Sequence, residues 1–191
     1  MPKGKNVKGI VLMEVLLAAF ILVSVFFAIG MVSNDATSVD AFSRNSMVAK
    51  HLLLGDVEMV KNIRDTNRLL EPGNSDCWLR PDPSKDCTLP VAGNNYVLVR
   101  NDSGQPVLTE SFADDLDIEK GQADDVYRLY IDNNNLGMYT SKKTLDPSKF
   151  YHSVKVEKAD KETVVFSLKI QWNEGVKTRT LQQAVVLKNY F

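Results

Sequence analysis

From Ile10 to Val32 the chain is apolar at every position except Glu14, Ser24 and Gly30. A helix that is apolar all round has no polar side to turn to water, so it belongs in a hydrophobic core or a membrane. At about 1.5 Å per helical residue the run reaches roughly 34 Å, enough to cross a hydrocarbon layer of about 30 Å. Beyond Val32 the pattern changes. Val39, Phe42, Ala49, Leu53, Val57, Val60 and Ile63 recur near helical spacing among charged and polar residues, which predicts an amphipathic continuation over 33–71. No proline lies between Ile10 and Glu71, so one long helix is the simplest account. It is predicted to stop near Leu69–Glu71, because Pro72 disfavours helix in the residue before it and Gly73-Asn74 opens a turn. Gly55 lies inside this helix and costs about 1 kcal/mol relative to alanine; close packing is the one reason the sequence offers for it.

The C-terminal region, 72–191, reads as β-rich. Val164, Phe166, Leu168, Ile170 and Trp172 alternate with Val165, Ser167, Lys169 and Gln171, the period-2 pattern of a half-buried strand. Asn173-Glu174-Gly175 turns the chain into Val176–Thr180 and Ala184–Leu187. Phe150, Val154 and Val156 precede the best strand across a polar turn at Lys158–Glu162. A three-stranded antiparallel meander is expected there. Further strands are predicted at Tyr96–Arg100, Val126–Ile131 and Leu136–Thr140, the last two joined by Asp132-Asn133-Asn134-Asn135. A helix laid on such a sheet buries the apolar stripe of both, which is an α+β fold.

Charge and cysteine usage narrow the function. With 23 Lys+Arg against 24 Asp+Glu and a net charge of −1, the chain lacks the basic excess that phosphate neutralisation needs, so nucleic acid is not an expected partner. Lys3, Lys5 and Lys8 precede the apolar run, whereas Asp35 and Asp40 follow it. The positive-inside rule then predicts a single-pass cytoplasmic-membrane protein, with its N-terminus in the cytoplasm and 33–191 outside. Outside the cytoplasm disulfides form, and Cys77 and Cys87 are expected to bridge; closing a loop of about 11 residues contributes roughly 3 kcal/mol. A redox pair would want the closer C-x-x-C spacing.

No catalytic constellation emerges. His51 falls on the helix and His152 on a strand, neither beside a nucleophile or metal-ligand partner, and both read as surface or packing residues. Asp114, Asp115, Asp117, Glu119, Asp124 and Asp125 form an acidic run whose spacing fits no EF-hand loop, so it reads as a solvated loop rather than a calcium site. No metal, cofactor or enzymatic activity is expected.

One residue needs a partner. Glu14 places a carboxylate five residues into the apolar run, and an unpaired acid in hydrocarbon costs several kcal/mol. Here Gly9-Ile10-Val11-Leu12-Met13-Glu14 resembles the prepilin signature of type IV pilins and pseudopilins, in which Gly is followed usually by Phe-Thr-Leu-Ile-Glu. Ile10 and Val11 depart from the usual Phe and Thr, while Leu12 and Glu14 match. The resemblance implies a leader, 1–9, cut after Gly9 by a prepilin peptidase, and N-methylation of Ile10. It implies a transmembrane or filament-core helix over 10–32, and Glu14 paired with the terminal amine of a neighbouring subunit. The implied partners are the peptidase, other pilin subunits of a helical filament and the inner-membrane assembly machinery. The implied destination is a cell-surface pilus, and the implied fold is the α+β fold already reached. Many major pilins carry a Cys pair near the C-terminus; its lack here leans towards a minor pilin or a pseudopilin. The competing expectation is an uncleaved anchor carrying a β-rich ligand-recognition head.

Overall fold

The computed structural model describes residues 7–72, 74, 76–83, 86–101, 104–111, 116–118, 127–132, 138–140 and 146–189, and the side chains of all of these except 7–11, 132, 138–140 and 146. Helix α1 runs Val7–Leu70. It ends where the sequence says it must: Glu71 donates the last helical backbone bond to Asn67 (3.0 Å), and Pro72 follows. Packing divides the chain into two units, 1–45 and 46–191, so the division falls inside α1.

Within the second unit, Ala49, Leu53, Val57, Val60 and Ile63 form a buried stripe that joins the sheet in one core. Val39 and Phe42, expected on this stripe, are exposed, and the buried face begins only at Ala49. The helical spacing continues through 39 and 42, but burial requires a surface opposite, which spacing does not supply. Gly55 is also reassigned. A Cβ built there meets nothing within 4 Å, so close packing is not the reason for this glycine.

Among the described residues seven strands form one antiparallel sheet: β1 Asn95–Arg100, β2 Pro106–Ser111, β3 Arg128–Asp132, β4 Met138–Thr140, β5 Asp146–Ala159, β6 Thr163–Glu174 and β7 Lys177–Lys188. β5, β6 and β7 make the expected meander. On its other edge the long β5 pairs with β3 near Asp146–Tyr151 and with β1 at Val154–Lys155, and β2 and β4 complete the two hairpins.

The third strand of the meander is continuous across 181–183, and every residue from Lys177 to Lys188 is in register with β6. Glu174 pairs with Lys177 across the two-residue turn Gly175-Val176, where Gly175 has φ 61°, a left-handed value that a side chain would strain. At the other turn Asp160 Oδ1 accepts the backbone N–H groups of Glu162 (3.0 Å) and Thr163 (2.6 Å). The Lys158 ammonium, hydrogen-bonded to this carboxylate, lowers the Asp160 pKa, with the Thr163 N–H adding to the effect; the Lys158 pKa rises in turn. The strand β2 escaped the sequence reading, since it opens on Pro106 and lacks alternation.

The predicted inner face of β6 is the core. Val164, Phe166, Leu168, Ile170 and Trp172 are all nearly fully buried with Phe150, Val154 and Val156 of β5, and the Phe150 and Trp172 rings lie 6.0 Å apart. On the opposite face of the sheet, a smaller cluster joins Val97 and Tyr151 to Tyr127 and to Leu116 of the segment 116–118. That segment is fastened by Lys169 Nζ donating to the Leu116 carbonyl (3.1 Å) and by the Ile118 N–H donating to Gln171 Oε1 (3.2 Å).

Candidate functional site

The residues singled out by the prepilin-like motif all lie on α1. Gly9 and Ile10 have helical backbone, and their side chains lie outside the described residues. Glu14 is exposed, as is every residue from Leu12 to Arg44. Phe20 at 72%, Val25 at 52% and Phe26 at 66% exposure point to different sides of the helix, so the apolar surface is a full cylinder rather than a stripe. α1 is long and apolar enough to cross a membrane. Ser24 softens the polar content of this stretch by donating its hydroxyl to the Phe20 carbonyl (2.8 Å). A surface of this kind in water is strongly unfavourable, at about 25 cal/mol for each Å² of apolar area. It therefore calls for lipid or for other apolar helices.

The cysteine pair is a disulfide. Cys77 and Cys87 are bonded, with Cα atoms 4.7 Å apart and a sequence separation of 10. The bridge closes a loop that follows the end of α1 and sends Trp78 and Leu79 into the core. Two polar contacts anchor the loop to the helix end, Asn67 Nδ2 donating to the Arg80 carbonyl (2.8 Å) and Arg80 pairing with Glu71 (3.0 Å), and a third ties it to β2, where Leu108 N–H donates to the Pro81 carbonyl (2.9 Å). Glu71 lies close to both sulfurs, but with those sulfurs joined the trio offers no thiolate to a metal.

The two histidines diverge. His51 is exposed on α1, whereas His152 is 2% exposed on β5 and directs Nδ1 to the Asp56 carboxylate of α1 at 3.3 Å. The pair ties helix to sheet across 96 residues of sequence, which no local search for partners finds. A signal was available: Asp56 occupies the buried stripe between Leu53 and Val57, and a charged residue on an apolar helix face requires a partner on whatever covers it. Near the sheet edge, burial raises the Tyr96 pKa while its hydroxyl accepts the Val91 N–H (2.8 Å).

Of the acidic run only Asp117 is among the described residues; Asp114, Asp115, Glu119, Asp124 and Asp125 lie outside them, as do Asn133, Asn134 and Asn135 of the predicted turn. Comparisons with protein-family models, with curated proteins and with solved structures find no match to this chain.

Proposed function

We propose that the chain is a type IV pilin-like structural subunit, a minor pilin or pseudopilin, that is cleaved after Gly9, N-methylated at Ile10 and assembled through α1 into a pilus or pseudopilus. The observation that carries the reading is the exposed all-apolar cylinder from Leu12 to Val32, interrupted near its start by the single carboxylate of Glu14. Before assembly the bilayer holds this cylinder, with Lys3, Lys5 and Lys8 on the cytoplasmic side. Cleavage at Gly9–Ile10 creates a cationic amine four residues from the carboxylate. In hydrocarbon a paired acid and amine cost far less than either alone, so Glu14 and the Ile10 amine of a neighbour select one axial register. Assembly then exchanges lipid contacts for helix–helix contacts, and the second unit, 46–191, is carried on the filament surface.

The deciding experiment is the intact mass and N-terminal sequence of the chain, expressed with and without a prepilin peptidase. Loss of Met1–Gly9 with a methylated Ile10 is the expected result. Retention of the leader beside an active peptidase makes the helix a permanent anchor and refutes the assembly reading.

A further inference from the structure

Beyond the end of α1 the chain turns in steps of three. Asn74 N–H donates to the Glu71 carbonyl (3.2 Å), Cys77 N–H to the Asn74 carbonyl (3.3 Å) and Arg80 N–H to the Cys77 carbonyl (3.4 Å). Bonds of this i→i+3 kind bring residues three apart to one side, so the side chains of Glu71, Asn74, Cys77 and Arg80 gather there. Cys87 returns to the same place from the far end of the loop. The Glu71 carboxylate and the two sulfurs all lie within 4.8 Å of one another.

The carboxylate is already oriented. Arg80 pairs with Glu71 Oε1 (3.0 Å), and Asn74 Nδ2 donates to Oε2 (3.2 Å), which lies 3.6 Å from Cys87 Sγ and keeps a second lone pair to give. Hydrogen bonds of this kind hold a metal-ligating carboxylate in place and do not compete with the metal. The charges also balance once the sulfurs are thiolates. Two thiolates and one carboxylate carry three negative charges; a divalent cation cancels two, and the Arg80 guanidinium, 3.9 Å from Cys87 Sγ, cancels the third. Ligands on one tetrahedral cation, at about 2.3 Å for sulfur and about 2.1 Å for oxygen, sit roughly 3.5–3.8 Å from each other, a spread that the three positions cover when the sulfurs part. Two thiolates select a borderline-soft cation such as zinc over magnesium or calcium. Cys77 is 1% exposed, whereas Cys87 is open to solvent and Glu71 partly so, which gives the cation an entry path and a water as its fourth ligand.

We infer that, once its disulfide is reduced, the chain holds one zinc-like divalent cation on Cys77, Cys87 and Glu71, so that bridge and metal exclude one another at the end of α1. A dithiol supplies the two electrons and two protons that turn the disulfide into two thiols, itself becoming a disulfide; the cation then displaces the two thiol protons. Metal and bridge close the same loop, which keeps Trp78 and Leu79 in the core in either state. The inference concerns the second unit alone and does not rest on the assembly proposed above.

The test is a titration with zinc, in competition with a chromogenic chelator, of the full chain in detergent micelles, both oxidised and after reduction with a phosphine that is then removed without air. One zinc per reduced chain is expected, at micromolar affinity or tighter. The oxidised chain keeps His51, His152 and every carboxylate, and is expected to bind at least about a hundredfold more weakly. Cobalt in place of zinc is expected to show thiolate-to-metal charge-transfer absorption in the reduced chain. Glu71→Gln is expected to weaken zinc at least about tenfold while that absorption persists, and Cys87→Ser to abolish stoichiometric binding. Saturating zinc is expected to raise the melting temperature of the reduced chain and to leave that of the oxidised chain unchanged. Absence of stoichiometric zinc on the reduced chain, or equal binding by the oxidised chain, overturns the inference. An unchanged affinity in reduced Glu71→Gln overturns it too, since two thiols then capture the metal without the carboxylate, whether or not the chain is folded.

Discussion

Helix α1 carries two apolar surfaces with opposite fates. From Leu12 to Val32 nearly every residue is apolar and every one is exposed; from Ala49 to Ile63 fewer are apolar, and those on one stripe are buried. Apolar content therefore does not determine burial within the folded chain. Arrangement does, because a stripe can be matched by one sheet whereas a full cylinder needs surroundings on all sides. The first surface depends on a medium or on other copies, and the second is satisfied by the chain itself.

The sharpest way to break this contrast is to truncate one aromatic from each surface. Phe166→Ala is expected to cost about 4 kcal/mol of stability in the second unit, since it empties a fully buried ring site facing the helix. Phe26→Ala is expected to leave the same denaturation midpoint unchanged; urea titration followed by Trp fluorescence reads both through Trp78 and Trp172. The next effect tests whether the buried stripe is held by polar as well as apolar contacts. Asp56→Ala strands a buried His152 and is expected to cost roughly 3 kcal/mol, part of which a Phe at position 152 recovers in a double-mutant cycle. Replacing Cys77 and Cys87 together by serine is expected to lower stability by about 2.7 kcal/mol, read from the shift of the same midpoint.

On the exposed surface, Glu14→Leu is expected to leave cleavage intact while reducing filament incorporation by nearly a hundredfold. That corresponds to roughly 2.5 kcal/mol lost when a neighbour's amine has no acid to meet in hydrocarbon. Immunoblotting of sheared filaments against membranes measures it, and unchanged incorporation would remove Glu14 from the assembly step. The smallest change runs the other way. Gly55→Ala should stabilise by up to about 1 kcal/mol, because the added methyl meets open space and the unfolded chain loses freedom.

What the sequence disclosed follows from how local each signal is. The end of α1 was legible because Pro72 acts on its immediate neighbour. The inner face of β6 was legible because five alternating apolar residues admit one pleat. Strand β2 was not, since its Pro106, Thr109 and Glu110 satisfy no period and it is held in place by pairing with β1. The contact of Asp56 with His152 was hidden for a related reason. It forms only when a strand and a helix distant in sequence come together. The polar half of β6 looked like an ordinary solvent face, yet Ser167 and Gln171 on it are almost completely buried. The prepilin-like motif is the opposite case: the resemblance is written in consecutive residues and needs no fold to be read.

The length of β5 has a consequence for how this head can change over time. Its 14 residues serve β6 along one side, while the hairpins 95–111 and 128–140 each attach to a separate stretch of the other side. Among the described residues neither hairpin pairs with the other, so each is attached in the sheet only through a common spine. Drift, lengthening or replacement of one leaves the backbone hydrogen bonds of the other and of the β5–β6–β7 meander untouched. A sheet with this layout can vary the backbone of two hairpins separately while conserving the ladder that carries them, and the coupling left between them is in side chains, where Val97 shares a cluster with Tyr127 and Ser111 donates to the Tyr127 hydroxyl.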